Sequence, residues 1–247
     1  MKNFIISFLT AIFCLLACAV NAQEQATWDY PVKPGTEEWN RIQTEPERIA
    51  AVQIPEEILE KLSSDDIVRL CITFPLFSDF TYFNTPQEGF EVMVARFNLF
   101  ARLLEKKDTG RRLIDAYKDT DMKGFKTLPY SCEFWTIKLN YLELLLTQRS
   151  ILQSLMSGEK LELLKEARKK FSEKMDSNSF SSFYGVLSTV RIMAGILDME
   201  AYQEWLLSPN RQKADRFLQT GRLGDVSLIE EIVRMTDNYL NNKNQIP

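Results

Sequence analysis

Residues 71–104 read CITFPLFSDFTYFNTPQEGFEVMVARFNLFARLL and carry eight aromatic side chains. Large rings dominate the energetics of a protein core because each removes so much apolar area from water. Apolar residues in the second half of the stretch recur at steps of three and four, the spacing of one helix face: Phe90, Met93, Phe97, Phe100 and Leu104. We therefore predict two helical segments, joined at residues 84–86, whose rings form the hub of an all-α core.

The rest of the chain also carries helix signals. Thr44 and Glu47 form a candidate capping box, and Ser63 stands just before an apolar helical pattern. Residues 130–156 predict one long buried helix, with Gln148 as a polar interruption. We find no convincing strand pattern of period two and no repeat of the solenoid kind. The fold class predicted is all-α, an irregular multi-helix bundle of about nine to eleven helices.

The chain divides into three parts. Residues 1–22 are predicted to be a signal peptide. Residues 23–35 are predicted to form an extended arm, because Pro31 and Pro34 fix φ and withhold backbone donors. Residues 36–247 are predicted to form a single helical domain. Its candidate seam is the polar stretch 118–129, which contains Gly124 and Pro129 and lacks periodicity.

The segment after Gly158 predicts an amphipathic helix with one apolar and one basic face. The residues expected to face the core are Leu161, Leu164, Phe171 and Met175. The residues expected on the opposite face are Lys165, Arg168, Lys169 and Lys170. Glutamates are interspersed among these bases, so the basic face is predicted to be solvated rather than to bind a membrane or an acidic partner.

The N-terminus has the pattern of an export signal. Lys2 precedes an apolar run, and small residues end that run at Ala22, so cleavage is predicted between Ala22 and Gln23. The run is short for a transmembrane helix, and no later segment is as hydrophobic, so no span is predicted in the mature chain. The competing site is a lipobox-like sequence in which Cys18 would be lipidated and retained, which would make the protein a lipoprotein.

Cleavage at Ala22 leaves two cysteines in the mature chain, Cys71 and Cys132. Export would place both in an oxidising compartment, periplasmic or extracellular. A disulfide between them would close a loop of about 60 residues and stabilise the fold by about 4 kcal/mol. The alternative is two separate buried thiols, because Cys71 shares an apolar stripe with Ile67, Leu70 and Phe74.

The composition lowers the expectation of several chemistries. The chain has no histidine, which is the commonest general base and metal ligand. Its formal net charge is −4, or 29 − 34 = −5 after removal of residues 1–22 with Lys2, so nucleic-acid binding has no electrostatic support. No Gly-rich phosphate loop, zinc pattern or calcium loop is present. We predict no metal, no cofactor, no nucleic-acid partner and no identifiable catalytic residue.

The run WDYPVKPGTEEW at residues 28–39 resembles the opening of a family of exported Bacteroidetes proteins. Residues 53–59, QIPEEIL, and residues 87–90, QEGF, are similar to the next signatures of that family. The resemblance covers about residues 28–120. It implies lineage and export, and it implies no reaction and no catalytic residue, because the family is uncharacterised.

These observations favour a non-catalytic function. We predict an exported soluble helical protein that binds an unknown protein or ligand. The alternative is an enzyme of the cell envelope or of glycan metabolism that uses two carboxylates without a metal. Two acidic side chains facing each other in a deep groove would favour the enzyme. The sequence gives neither the partner nor the oligomeric state.

Overall fold

The computed structural model describes residues 27–120, 132–177 and 184–244. Within these ranges the chain forms fourteen α-helices, one 3₁₀-helix and no strand, which confirms the all-α prediction. Ten of the α-helices have seven or more residues, in line with the number predicted. In chain order they are α1 (Glu37–Arg41), α2 (Glu45–Val52), α3 (Glu56–Leu59), α4 (Ser64–Ile72), the 3₁₀-helix (Phe77–Tyr82), α5 (Pro86–Arg96), α6 (Asn98–Glu105), α7 (Thr109–Asp119), α8 (Cys132–Leu146), α9 (Arg149–Ser154), α10 (Ser157–Met175), α11 (Tyr184–Glu200), α12 (Tyr202–Leu206), α13 (Arg211–Thr220) and α14 (Ser227–Asn244).

Four helices in the first half of the molecule start at a Ser or Thr cap, namely α1, α2, α4 and α5. Thr44 Oγ1 accepts from the backbone N–H of Glu47, and the Glu47 carboxylate accepts from the N–H of Thr44, so the predicted capping box is confirmed. Ser63 caps α4 through the N–H of Asp66. Each such bond satisfies a backbone donor that has no partner inside the helix.

The aromatic hub holds the first half of the molecule together. The ring of Phe74 meets those of Phe97 and Phe100 edge-to-face, each with ring centroids 4.9 Å apart. The N-terminal arm docks on the same group, because Tyr30 packs its ring 6.0 Å from that of Phe74 and donates its hydroxyl to the Leu70 carbonyl. The predicted hub is therefore confirmed for Phe74, Phe97 and Phe100 and wrong for Tyr82, which is 82% exposed. We call Tyr30, Phe74, Phe97 and Phe100 the aromatic hub.

The predicted long helix at residues 130–156 is wrong, because the chain leaves helical geometry at Gln148 (φ −67°, ψ 130°). α8 ends at Leu146 and α9 begins at Arg149. The Thr147 hydroxyl and the Gln148 amide both donate to the Leu144 carbonyl, at 2.8 and 2.7 Å. Polar side chains thus replace the backbone donor that a continuous helix would supply, which is the physical reason for the break.

A second break divides the helix predicted after residue 86. Phe97 is extended (φ −126°, ψ 119°), ends α5 and precedes α6. The Asn98 side chain then donates to the Ile54 carbonyl, at 2.7 Å, which ties the start of α6 to the segment before α3. The turn lets the rings of Phe97 and Phe100 both reach Phe74.

Buried apolar side chains form one connected core that runs from Tyr30 to Tyr239. α7 packs against α8 and α10, so helices on both sides of the predicted seam contribute to this core. Most of the seam itself, residues 121–129, lies outside the described residues. None of the helices in the described ranges has the length and apolarity that crossing a bilayer requires.

Gly89 sets how closely α5 approaches the 3₁₀-helix. A Cβ atom at this position would lie 2.6 Å from the Cα and the carbonyl oxygen of Phe80, a distance that real Cβ atoms essentially never show. The contact is with backbone, so no side chain can move to relieve it. The absence of a side chain at Gly89 therefore allows the backbone of Phe80 in the 3₁₀-helix to pack directly on α5.

Candidate functional site

A cluster of polar side chains lies inside the helical body between α7, α8, α10 and α11. Its centre is the carboxylate of Glu143, which is fully buried. Oε1 accepts from the hydroxyls of Tyr117 and Thr189, at 2.8 and 2.7 Å. Oε2 accepts from the Lys174 ammonium, at 2.7 Å, and from the Ser188 hydroxyl. Four donors satisfy a charge that would otherwise be costly to bury, and we call these five side chains the polar cluster.

Lys174 is as buried as Glu143 and is also well satisfied. Its Nζ donates to the carbonyl of Gly185 at 3.0 Å and to the hydroxyl oxygen of Thr189 at 2.9 Å, and Asn140 Oδ1 lies 3.4 Å away. Burial lowers the pKa of Lys174, and the negative charge of Glu143 opposes that shift. Since neither charged side chain is exposed, a ligand meets the pair only through its neighbours.

The buried side of α10 differs from the prediction. The inward placement of Leu164 is confirmed, but two lysines share the buried face, whose residues are Leu163, Leu164, Ala167, Lys170 and Lys174. The prediction that Lys170 faces solvent is wrong, and so is the inward placement of Met175, whose side chain is 59% exposed. Lys170 Nζ donates to the Thr120 carbonyl at 2.7 Å and lies 5.0 Å from the ring centroid of Tyr117. These two contacts stabilise the buried charge of Lys170.

A cavity of about 460 Å³ adjoins the polar cluster. Its walls come from the 3₁₀-helix, the start of α5, α8, α11, and the end of α13 with the turn that follows it. The apolar lining residues are Phe80, Pro86, Leu144, Leu187, Phe217 and Leu223. The polar lining residues are Asn84, Thr85, Asn140, Thr147, Ser188, Arg191 and Arg222. The volume and the mixture of apolar walls with a few polar groups are typical of small-molecule sites.

Two residues of the cavity wall, Ser188 and Asn140, contact the buried ion pair of the polar cluster. The hydroxyl of Ser188 lies in the cavity lining and donates to Glu143. Asn140 lines the cavity and turns its Oδ1 towards Lys174. The buried ion pair therefore orients these two side chains, which leaves lone pairs on Ser188 Oγ and the amide N–H groups of Asn140 for another partner.

Arg191 is the most buried cation of the cavity wall, with 6% of the residue exposed. Its Nε and Nη2 donate to the Leu218 carbonyl, at 3.2 and 2.7 Å, close to the C-terminal end of α13. No carboxylate of the described residues forms an ion pair with it, and Glu91 acts on it only at longer range. Burial lowers the pKa of Arg191 to about 10, so the side chain remains cationic at neutral pH.

A second depression, of about 350 Å³, lies between α2, the 3₁₀-helix and α5. Two carboxylates, Glu45 and Asp79, line it together with Arg48 and Arg96. Arg96 pairs with Glu45, whereas Asp79 forms no ion pair or side-chain hydrogen bond with the described residues. Burial raises the pKa of Asp79 despite the nearby arginines. We call this depression the Asp79 groove.

The site residues predicted from sequence contribute little to these features. Cys71 is fully buried, and burial raises the pKa of its thiol. The side chain of Cys132 lies outside the described residues, so the disulfide stays a prediction. Cys18, Ala22 and Gln23 also lie outside them, and cleavage and lipidation remain untested. No group of three or more acidic or cysteine ligands suited to a metal occurs among the described residues.

Sequence reasoning missed the residues that define the cavity and the polar cluster. One signal was present in α10, where Lys170 and Lys174 continue the stripe begun by Leu163 and Ala167. A charged residue on an apolar stripe indicates either a buried partner or an error in the assigned face. Glu143 gave a similar signal, since it lies within a run of leucines at residues 142–146.

Comparison with models of protein families, with curated proteins and with solved structures found no match to this chain. The geometry of the cavity and of the polar cluster therefore carries the functional argument.

Proposed function

We propose that this protein is a non-catalytic binding protein that holds a small molecule in the cavity between α8, α11 and α13. The observation that carries the proposal is the wall itself, where apolar side chains surround a few oriented polar groups. Asn140 and Ser188 are held by the buried pair Glu143–Lys174, so their orientation is set before a ligand arrives. Preorganised polar groups lower the entropic cost of binding.

The lining also supports binding rather than reaction. No lining residue in the described part of the chain is acidic, so this cavity does not bring together the two carboxylates that the enzyme alternative requires. The Glu143 carboxylate, which binds the lining residue Ser188, already accepts from four donors. A carboxylate with that many partners is poorly placed to exchange protons with a ligand.

The proposal is tested by titration with N-phenyl-1-naphthylamine, a neutral apolar compound that fluoresces strongly out of water. We expect one saturable site per chain. Leu223→Trp adds a large ring to the cavity wall and should weaken binding at least tenfold. The matched control is Val226→Trp, because Val226 is 56% exposed and lies in the same segment without lining the cavity. Equal affinity of both variants and the wild type, or no saturable site, would contradict the proposal.

We further propose that the protein is exported and that its mature chain begins at Gln23, as the signal pattern and the resemblance at residues 28–39 imply. Mass spectrometry of the native protein tests this directly. A mass that begins at Gln23 supports the proposal, and a lipidated chain that begins at Cys18 would replace it.

A specific observation in the Asp79 groove favours the enzyme alternative. Burial raises the pKa of Asp79, as suits a general acid, and Glu45, which pairs with Arg96, lines the same groove. Under this second candidate function the protein hydrolyses a glycosidic bond there. Activity on a panel of cell-wall and storage glycans that disappears in Asp79→Asn and persists in the exposed-site control Asp65→Asn would favour it.

A further inference from the structure

We infer that the ligand of the cavity is an organic anion with an apolar body, whose negative group binds Arg191. The inference rests on the proposed function and adds the chemical class of the ligand. It starts from a charge balance, since the cavity lining contains two arginines, Arg191 and Arg222, and no carboxylate among the described residues.

Arg191 is the group that defines the ligand. A guanidinium has five N–H donors, and two of its nitrogens, Nε and Nη2, share the Leu218 carbonyl through one N–H each. That bond uses one edge of the planar fork. The other edge, formed by Nη1 and the second N–H of Nη2, has no hydrogen-bond partner among the described residues. An edge of this kind matches the two oxygens of a carboxylate, sulfonate or phosphate.

A structural role at the end of α13 accounts for only part of this arrangement. A cation near a helix C-terminus is favourable, and the Leu218 carbonyl receives it. An arginine could stabilise the end of α13 in the same way while the free edge of its guanidinium formed an ion pair with a carboxylate of the protein. Instead, the side chain is 6% exposed, lines a cavity and lacks an ion pair in the described part of the chain. Buried charges are normally paired, so a bound anion completes the site.

The other charges near Arg191 leave room for an anion. Glu91 is exposed and accepts from the Gln87 amide, and it influences Arg191 only at longer range. The charge of Lys174 is balanced by Glu143 behind the wall. Arg222 is exposed at the cavity and adds positive potential there. Phe80, Leu187 and Phe217 provide the apolar walls for the rest of the ligand.

The test uses two compounds with the same ring system. One is 8-anilinonaphthalene-1-sulfonate, which carries a sulfonate, and the other is N-phenyl-1-naphthylamine, which is neutral. We expect the wild type to bind the sulfonate at least tenfold more tightly than the neutral compound. Arg191→Met should remove that preference by weakening the sulfonate at least tenfold and the neutral compound less than twofold. The matched control is Arg216→Met, which deletes an exposed arginine of α13 and should leave both affinities unchanged.

The outcomes separate the inference from the proposed function. Equal binding of the two compounds by the wild type, or full sulfonate binding by Arg191→Met, would overturn the anionic ligand and leave the cavity as a binding site. No binding of either compound would overturn both. If Arg191→Met does not fold, the wild-type preference decides alone. Displacement of the sulfonate by millimolar sodium sulfate, with sodium chloride at equal ionic strength as control, would show that an inorganic anion is sufficient. That result would overturn the inference that the ligand has an apolar organic body.

Discussion

The aromatic hub and the polar cluster are both buried, yet they hold their helices together by different physics. Phe74, Phe97 and Phe100 gain mainly from the apolar area that they remove from water, which does not depend on direction, and their edge-to-face contacts add a smaller term. Glu143 and Lys174 gain from directed bonds, and each is costly to bury alone. We therefore expect the hub to keep most of its stability when one apolar side chain replaces another. The polar cluster should lose much more stability when any one of its hydrogen-bond partners is removed.

The largest expected effect is that of Lys174→Met. The substitution leaves the Glu143 carboxylate buried without its cation, which costs about 3–5 kcal/mol of unfolding free energy. Urea unfolding followed by circular dichroism measures the loss. The control is Lys165→Met, an exposed site on the same helix, which should change stability by less than about 0.5 kcal/mol.

A double variant sharpens this result. Lys174→Met combined with Glu143→Leu removes both charges, and we expect most of the lost stability to return, because an apolar pair avoids the desolvation penalty. If the double variant is as unstable as Lys174→Met, the loss comes from packing rather than from an unpaired charge, and the contrast with the hub fails.

Tyr117→Phe is the next test, because it removes one donor from Glu143 and keeps the ring. The lost hydrogen bond joins a neutral hydroxyl to a charged acceptor at 2.8 Å, so we expect a loss of about 1.5–3 kcal/mol. Tyr239→Phe is a suitable control, since Tyr239 is also largely buried and its hydroxyl has no hydrogen bond to the described residues. Equal effects of the two changes would show that the cluster tolerates the loss of a donor.

Gly89→Ala tests a backbone contact in the first half of the molecule that leaves no room for a side chain. The added methyl group would meet the Phe80 backbone at 2.6 Å, and we expect overpacking to cost about 1–3 kcal/mol. Gly158→Ala is the matched control, because nothing lies within 4 Å of a Cβ at that helical position, so stability should stay the same or rise. A neutral Gly89→Ala would mean that the 3₁₀-helix can move away from α5.

Phe100→Leu should cost less, no more than about 1.5 kcal/mol, because an apolar side chain still fills the space among the rings. The measurement is again the free energy of unfolding in urea. A loss as large as that of Lys174→Met would break the comparison from the other side, since the hub would then depend on ring geometry as strictly as the cluster depends on hydrogen bonds.

The same comparison explains what the sequence could predict. The positions of Phe90 and Met93 show their common face on α5 directly, because helical spacing is a local property of the chain. The partners of Glu143 lie 26 to 46 residues away from it in sequence, on α7, α10 and α11. Only the packing of those helices brings them together, so no local pattern identifies them.

The cavity was beyond sequence reasoning for a related reason. Arg191 reads as one polar residue in an apolar helix, and only the approach of the Leu218 carbonyl shows which edge of its guanidinium is occupied. The two helix breaks were hidden by apolar periodicity that continues through Phe97 and through residue 148. At the second of these breaks, the side chains of Thr147 and Gln148 compete with the backbone for the Leu144 carbonyl at the end of α8. A count of apolar residues does not detect this effect.

The smallest effect concerns pH and follows from the lowered pKa of Lys174. Burial disfavours the protonated ammonium, with Glu143 opposing the shift and the charge of Lys170 adding to it. The folded chain therefore releases this proton at a lower pH than the unfolded chain, whose lysine has the ordinary pKa of 10.5. In the window below pH 10.5 the unfolded state binds more protons, so the contribution of Lys174 to the unfolding free energy rises with pH.

The measurement that isolates this contribution is the difference in unfolding free energy between the wild type and Lys174→Met, followed from pH 8 to 10. We expect the difference to grow in favour of the wild type, while the corresponding difference for the exposed-site variant Lys165→Met stays flat. The only titratable group of the aromatic hub is Tyr30, and burial raises its pKa above this pH range. Phe100→Leu should therefore also give a flat difference. A wild-type advantage that shrinks with pH would mean that the attraction of Glu143 outweighs desolvation and that the ion pair, rather than its burial, dominates the polar cluster.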